Sequence, residues 1–316
     1  MKKVQPFVRR LGQVCLVLIG ATFLVSVLIR QLPGDVAVMI NPAASLNERA
    51  ALRQELGLDR NYFSAYWLWL SQILQGDFGF FIFGGKVLPV LKTAIPPTLQ
   101  LIFYTQIVAL SIAIPLGITS AYRQGARFDR FTSTMLFSLS SIPNFGIGLI
   151  LSLLIGVKIG ILPPSGYRPI SDGFLQHYRL MVLPVMTLAI APISTYTRLL
   201  RAEMIAALRE DYVLLAMSKG LSDRRILLRH VLRPSCTTLM TSAALSMGGL
   251  IGGALVIEII FVIPGMGTQL AKAIGTREFI AIQTFVTFIA LFYVTFNSVV
   301  DILIGVVDPR TRNRRA

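Results

Sequence analysis

Six long stretches of the chain carry no aspartate, glutamate, lysine or arginine: residues 11–29, 93–122, 131–157, 180–197, 234–257 and 279–300. A helix rises about 1.5 Å per residue, so roughly 20 apolar residues cross the hydrocarbon core of a bilayer. Each stretch is long enough to cross, the fourth narrowly, and the second and third have room for tilt. The first stretch reads as a retained helix, because its exit, Ile29-Arg30-Gln31-Leu32-Pro33-Gly34-Asp35, has no small-x-small cleavage pattern. The pattern predicts an all-α, polytopic membrane protein with about six transmembrane helices.

The basic residues are unevenly placed between these stretches. Lys2, Lys3, Arg9 and Arg10 precede or open the first, and Arg123, Arg127 and Arg130 separate the second from the third. Arg198, Arg201, Arg209, Lys219, Arg224, Arg225, Arg229 and Arg233 lie between the fourth and fifth; Arg310, Arg312, Arg314 and Arg315 close the chain. With six spans all of these fall on one side, which the positive-inside rule makes cytoplasmic. The expected division is a cytoplasmic N-terminus and first transmembrane helix at 1–30, an extracytoplasmic cap at 31–92, a core of five transmembrane helices at 93–306 containing a cytoplasmic loop at 201–233, and a basic cytoplasmic tail at 307–316.

Within the cap, residues 47–56 read as a helix stopped by Gly57. The aromatic run Tyr66-Trp67-Leu68-Trp69-Leu70 suits a membrane interface, and Gly76-Asp77-Phe78-Gly79 reads as a turn. A second outer element, 258–271, is too short to span and is broken by Pro264-Gly265-Met266-Gly267, so it reads as a re-entrant or surface turn. Pro115, Pro143, Pro184 and Pro192 fall inside spans, where neighbouring helices must satisfy the carbonyls they free. With Ser140, Ser141, Gly146 and Gly148, they suggest close helix packing in a bundle. Residues 140–145 are open to two readings, a pathway lining or ordinary membrane-helix composition.

In the 201–233 loop, Met204, Ile205, Leu208, Tyr212 and Leu215 recur at helical spacing, with Arg209, Glu210 and Asp211 between them. Gly220 stands where a helix C-cap belongs, and Ser222 is placed to cap a second helix, 223–233, which Pro234 ends or hands to the next span. Such a segment either lies on anionic headgroups or serves as a docking element for a cytoplasmic motor.

Composition narrows the function classes. Hydrophobic residues make up 54% and charged residues 14%, with a mean hydropathy of +0.69; a soluble domain carries about 25% charged residues. The net charge of +15 sits in short loops rather than on a phosphate-binding face, which argues against nucleic acid. Cys15 and Cys236 form no C-x-x-C, and His177 and His230 form no H-E-x-x-H, so no metal site is expected. Gly79 to Lys86 has the wrong spacing for a phosphate loop and Val87 follows the lysine, so the chain is not expected to bind ATP itself.

Asp211-Tyr212-Val213-Leu214-Leu215-Ala216-Met217-Ser218-Lys219-Gly220-Leu221-Ser222 followed by Arg229-His230-Val231-Leu232-Arg233-Pro234 resembles the coupling loop of bacterial ABC importer permeases, nearest the dipeptide/oligopeptide/nickel branch. Ala216 and Gly220 fit the general pattern, while leucines occupy its Glu-Ala start and Pro234 is displaced by one position. The resemblance continues through Leu32-Pro33-Gly34-Asp35, Leu56-Gly57-Leu58-Asp59, Gly76-Asp77-Phe78-Gly79, Ser141-Ile142-Pro143-Asn144-Phe145 and Leu162-Pro163-Pro164-Ser165-Gly166. It ends with Glu258-x-x-Phe261-x-x-Pro264-Gly265-x-Gly267, Asn297-x-x-x-Asp301 and Asp308-Pro309-Arg310; Val262-Ile263 departs from the aromatic that relatives often carry there.

The resemblance implies the type I ABC importer permease fold. It implies four kinds of partner: a second homologous permease subunit, two cytoplasmic ABC ATPase subunits, an extracytoplasmic solute-binding protein, and membrane lipid. ATP and Mg would be bound by the ATPase subunits and no cofactor by this chain. The ATPase-coupling residues it implies are Asp211, Tyr212, Ala216, Lys219, Gly220 and Leu221. Candidate pathway or gating residues are Ser141, Pro143, Asn144, Glu258, Pro264, Gly265, Asn297 and Asp301. For Glu258 and Asp301, which border their spans, local hydrogen bonding is an equal reading, and Asn297 precedes Asp301 by one helical turn. The solute classes of this branch are di- and oligopeptides, nickel complexes or metallophores, and glutathione. Two rivals stand outside the family reading. A secondary carrier or channel would display an ionisable pair within the spans, and an intramembrane enzyme a Ser/His, Asp/Asp or metal set; the six stretches contain none of these.

Overall fold

The structure, a computed structural model, describes residues 5–31, 45–55, 61–81 and 84–307. Helices dominate the described residues. In chain order they are α1 (Gln5–Arg30), α2 (Leu46–Glu55), α3 (Tyr62–Leu74), α4 (Val87–Tyr122), α5 (Arg127–Ser140) and α6 (Asn144–Leu151, continued by a wider π-helical turn over Ser152–Ile159). They continue with α7 (Phe174–Leu208), α8 (Asp211–Ser218), α9 (Asp223–Phe261), α10 (Met266–Gly275) and α11 (Phe279–Val307). Four of these, α4, α7, α9 and α11, are long and apolar enough to cross a bilayer, and the bent pair α5–α6 adds a fifth. The 26-residue α1, with its apolar stretch Cys15–Leu28, occupies the first charge-free interval. The six-span reading and the all-α class agree with this arrangement.

Two local expectations are corrected and one open alternative is decided. The interval 131–157 is not one straight helix: α5 and α6 meet at 99°. Pro143 is the reason. A proline ring disfavours helical backbone at the residue before it, and Pro143 itself takes an extended conformation (φ −58°, ψ 138°) as the residue that starts α6. The amphipathic pattern from Met204 to Leu215 is likewise two helices, because α7 ends at Leu208 and α8 begins at Asp211, with Glu210 extended between them. At Pro234 the second of the two readings holds, and the helix that Ser222 begins is handed on to the next span. The chain runs helically from Asp223 to Phe261, with a π-helical segment at Ile226–Val231 just before the proline. Such a segment shifts the backbone ladder, and a proline without an N–H is tolerated next to it. Ser222 starts this helix through its carbonyl, which accepts from the N–H groups of Arg225 and Ile226, and not through its side chain.

The described chain forms two compact units. The first comprises residues 1–96 and 265–294. In it α1 and α3 meet through Thr22 and Tyr66, whose hydroxyls are 2.7 Å apart, and through the stacked rings of Phe23 and Phe63. Tyr66 and Trp69 of the aromatic run are buried, and Trp67 is exposed. α2 opens with a reciprocal cap in which the Ser45 N–H donates to Glu48 and the Glu48 N–H to Ser45. The backbone bond from Ser45 holds the Glu48 carboxyl below its ordinary range. The 76–79 turn forms as expected, with Gly79 N–H donating to Asp77. Gly79 has φ +75° and lies so close to Ile280 that no side chain fits there. Val87, Leu91 and Ala94 of α4 pack with Met266, Ala273, Ala281, Ile282 and Phe285. Gly57, the segments Leu32–Asp35, Leu56–Asp59 and Asp308–Arg310, and most of the basic tail lie outside the described residues.

The second unit comprises residues 97–264 and 295–316. α7 is its central element: 67% of its most apolar stretch is buried, against 39% or less in the other three long helices. Ala109, Ala113, Ile193, Tyr196, Leu200, Met204, Leu239 and Ala243 make its core with Val213, Ala216, Ile226 and Val231. Burial of this kind in a helix carrying Pro184 and Pro192 fits the requirement that neighbours supply the missing contacts. Gly148 lets α6 approach closely, since a Cβ there would stand 3.2 Å from Thr187 and 3.4 Å from Phe261.

Candidate functional site

The segment from Asp211 to Leu221 is one small structural device. Val213 and Ala216 are buried and belong to the same core as Leu200 and Met204 of α7 and Ile226 and Val231 of α9. The other face of α8 is open: Tyr212, Leu214, Leu215 and Met217 are each 44–56% exposed. Two buried residues three apart anchor the helix while four large apolar side chains face outward, an arrangement that marks a protein or membrane interaction surface. Asp211 sits in the first turn, where a negative charge is favoured.

The end of α8 is fixed by backbone geometry. Gly220 has φ +73°, its N–H donates to the Met217 carbonyl, and the Leu221 N–H donates to the Ala216 carbonyl. This is the Schellman closure, which requires a left-handed residue at the position Gly220 holds. Lys219 is the exposed residue before the turn, and Leu221 is half-buried against the core. All six residues assigned to the loop from sequence are therefore in one element.

Behind α8 the bundle carries polar ties that the sequence did not reveal. Arg201 of α7 donates two bonds to Asp129 of α5, Nε to Oδ1 at 2.6 Å and Nη2 to Oδ2 at 2.7 Å. Asp129 is buried and also accepts the Gly125 N–H at 2.9 Å. Deeper in the bundle, the Tyr196 hydroxyl donates to Gln106 Oε1 at 3.1 Å and pairs with Ser246, while Gln106 Nε2 and Ser246 Oγ both donate to the Ala243 carbonyl. That network joins α4, α7 and α9. At the start of α7, His177 is fully buried between the Arg168 carbonyl (2.7 Å from Nδ1) and the Tyr104 hydroxyl (3.3 Å from Nε2).

The remaining sequence candidates lie on several elements. Ser141, Pro143 and Asn144 form the α5–α6 break; Ser141 Oγ donates to the Phe137 carbonyl, and Asn144 opens α6. Glu258 lies inside α9 and is fully buried, and it accepts from Thr98 of α4 at 2.5 Å, a contact between two helices. Pro264 is exposed after the α9 end and Gly265 is the buried residue that starts α10. Asn297 is half-buried on α11; Asp301 lies on the same helix, its side chain outside the described residues. Among the described residues no cluster of His, Cys, Asp and Glu has the make-up of a metal site.

Residues 113–313 match the family described as binding-protein-dependent transport system inner membrane component. The chain is 33% identical over 306 residues to a probable peptide ABC transporter permease protein of Sinorhizobium fredii, covering 96% of this chain and 98% of that protein. It is 33% identical over 299 residues to an oligopeptide transport system permease protein of Bacillus subtilis, covering 93% and 95%. It is also 33% identical over 301 residues to a glutathione transport system permease protein of Escherichia coli, covering 93% and 96%. The chain belongs to this family of permease subunits of ABC transporters and is a multi-pass membrane protein.

Proposed function

We propose that this permease subunit forms half of the translocation pathway of an ATP-driven importer of di- and oligopeptides, with α8 as the element its ATPase partner grips. The observation that carries this reading is the two-faced α8: Val213 and Ala216 root it in the bundle core while Tyr212, Leu214, Leu215 and Met217 stand open. A motor docked on that face pushes on a helix packed against α7 and the start of α9, so a rigid-body displacement passes into the long helices. The chain itself is non-catalytic, and ATP and Mg are bound by the ATPase subunits.

In this reading the 201–233 segment and both termini face the cytoplasm, where the arginine-rich connections belong. An extracytoplasmic binding protein delivers the solute, a second homologous permease supplies the other half of the pathway, and two ATPases dock below. Pathway and gating roles for Ser141, Pro143, Asn144, Glu258, Pro264, Gly265, Asn297 and Asp301 remain part of the proposal. Peptides are the favoured solute class because two of the relatives named above are peptide or oligopeptide permeases. The glutathione permease of Escherichia coli favours a second reading, in which the solute is glutathione, itself a small peptide. Reconstitution in proteoliposomes with the ATPase and binding-protein partners tests both. Peptide uptake that depends on ATP and on the binding protein is expected; uptake by this chain alone, without an ATPase, would assign it instead to the secondary carriers.

A further inference from the structure

We propose that the Asp129–Arg201 pair is the joint through which displacement of α8 reaches the broken span α5–α6; the proposal rests on α8 being the docking element. The pair has the form of a mechanical link. Both guanidinium-to-carboxylate bonds are short, 2.6 and 2.7 Å, and run to different carboxylate oxygens, which fixes orientation as well as distance. The Asp129 side chain is 4% exposed and that of Arg201 28%. A charge pair so sheltered is not interchangeable with solvent contacts, unlike an exposed ion pair.

Its position in the fold matters as much as its strength. Arg201 lies in the turn of α7 that also carries Leu200 and Met204, the residues that share a core with Val213 and Ala216 of α8. Asp129 lies in the first turn of α5 and takes the Gly125 N–H, while Arg130 donates Nε and Nη2 to the Gly125 carbonyl at 3.1 and 3.0 Å. Gly125 has φ +75°, so the α4–α5 turn is clamped from both sides of one left-handed residue. Movement of the α7 end therefore pulls on the beginning of α5 and on the turn before it together. α5 is 14 residues long and ends at the 99° break into α6, whose Gly148 rests on α7 and on Phe261 of α9. The segment between joint and break is a short rigid lever, and the break is where its motion is converted.

The test uses the reconstituted importer with its ATPase and binding-protein partners. D129N removes the charge at nearly constant shape, and D129N/R201Q removes both charges so that no buried charge is left unpaired. Each complex is assayed for subunit assembly, for nucleotide hydrolysis and for peptide taken up per ATP hydrolysed. Both variants are expected to assemble and hydrolyse ATP while uptake per ATP falls about tenfold. The exchange D129R/R201D is expected to recover part of that loss. Uptake per ATP within twofold of the parent in the doubly neutral variant would overturn the proposal, and so would failure of that variant to assemble, which would make the pair purely structural. Should the parent complex itself hold no ATPase at α8, the docking reading fails first, and the assembly assay on the parent registers that separately.

Discussion

Thr98 and Glu258, 160 residues apart in the chain, meet in the interior of the second unit, where the threonine hydroxyl donates to the glutamate carboxyl over 2.5 Å. Neither is more than 2% exposed. A buried carboxyl in a helix otherwise apolar at that level is costly unless donors surround it. The bond ties α4 to the last turn of α9. Thr98→Val keeps the shape but removes a donor, and is expected to destabilise the folded protein by about 1–3 kcal/mol. Thr98→Ser is expected to retain most of the stability. Thermal inactivation midpoints of the detergent-purified complex distinguish the two.

The ends of α8 and α9 make a second comparison. Gly220 and Val262 both have positive φ, +73° and +56°, and both close their helices with the same pair of backbone bonds. A left-handed residue suits glycine and strains a β-branched side chain. Gly220→Val, although open space surrounds the position, is expected to cost about 1–2 kcal/mol and to displace Lys219 and Leu221. Uptake should fall more than membrane insertion, which a blot of the membrane fraction beside a transport assay measures. Val262→Gly is expected to act in the opposite sense and leave stability unchanged or slightly raised, read from the same inactivation midpoint.

Tyr196 supplies a third. Tyr196→Phe removes the hydroxyl that joins Gln106 to Ser246 and leaves polar atoms of the network short of a partner, at an expected cost of about 1–3 kcal/mol. Gln106→Leu breaks the same network from α4. The double variant is expected to lose less than the sum of the two, because residues in one network are not additive. Additive losses would mean that the three helices are held independently.

These ties mark the boundary of what the sequence makes legible. Charge-free intervals report the length of apolar chain, so five long spans or span pairs and the apolar stretch of α1 could be located from them. The Gly220 closure was readable because glycine at a helix end has a specific conformational reason. The 99° bend was not, although Pro143 was visible: a proline in a long apolar run is compatible with a kink, a break or a tolerated turn, and neighbouring helices decide. The Asp129–Arg201 pair was hidden for a different reason. Charges in short loops look alike as topology markers, and nothing local tells which acid 72 residues away meets which arginine. Glu258 read as a border residue because the apolar interval stops just before it, whereas the helix runs on to Phe261 and buries it.

The most direct measurement is cross-linking from α8 to the ATPase in the assembled importer. A photoreactive amino acid is placed in turn at Leu215, 56% exposed, and at Val213, fully buried. A cross-link to a nucleotide-hydrolysing subunit is expected from position 215 and none from 213, in a complex whose peptide uptake requires ATP. Absence of any such cross-link from the open face, in a complex that still transports, would contradict it.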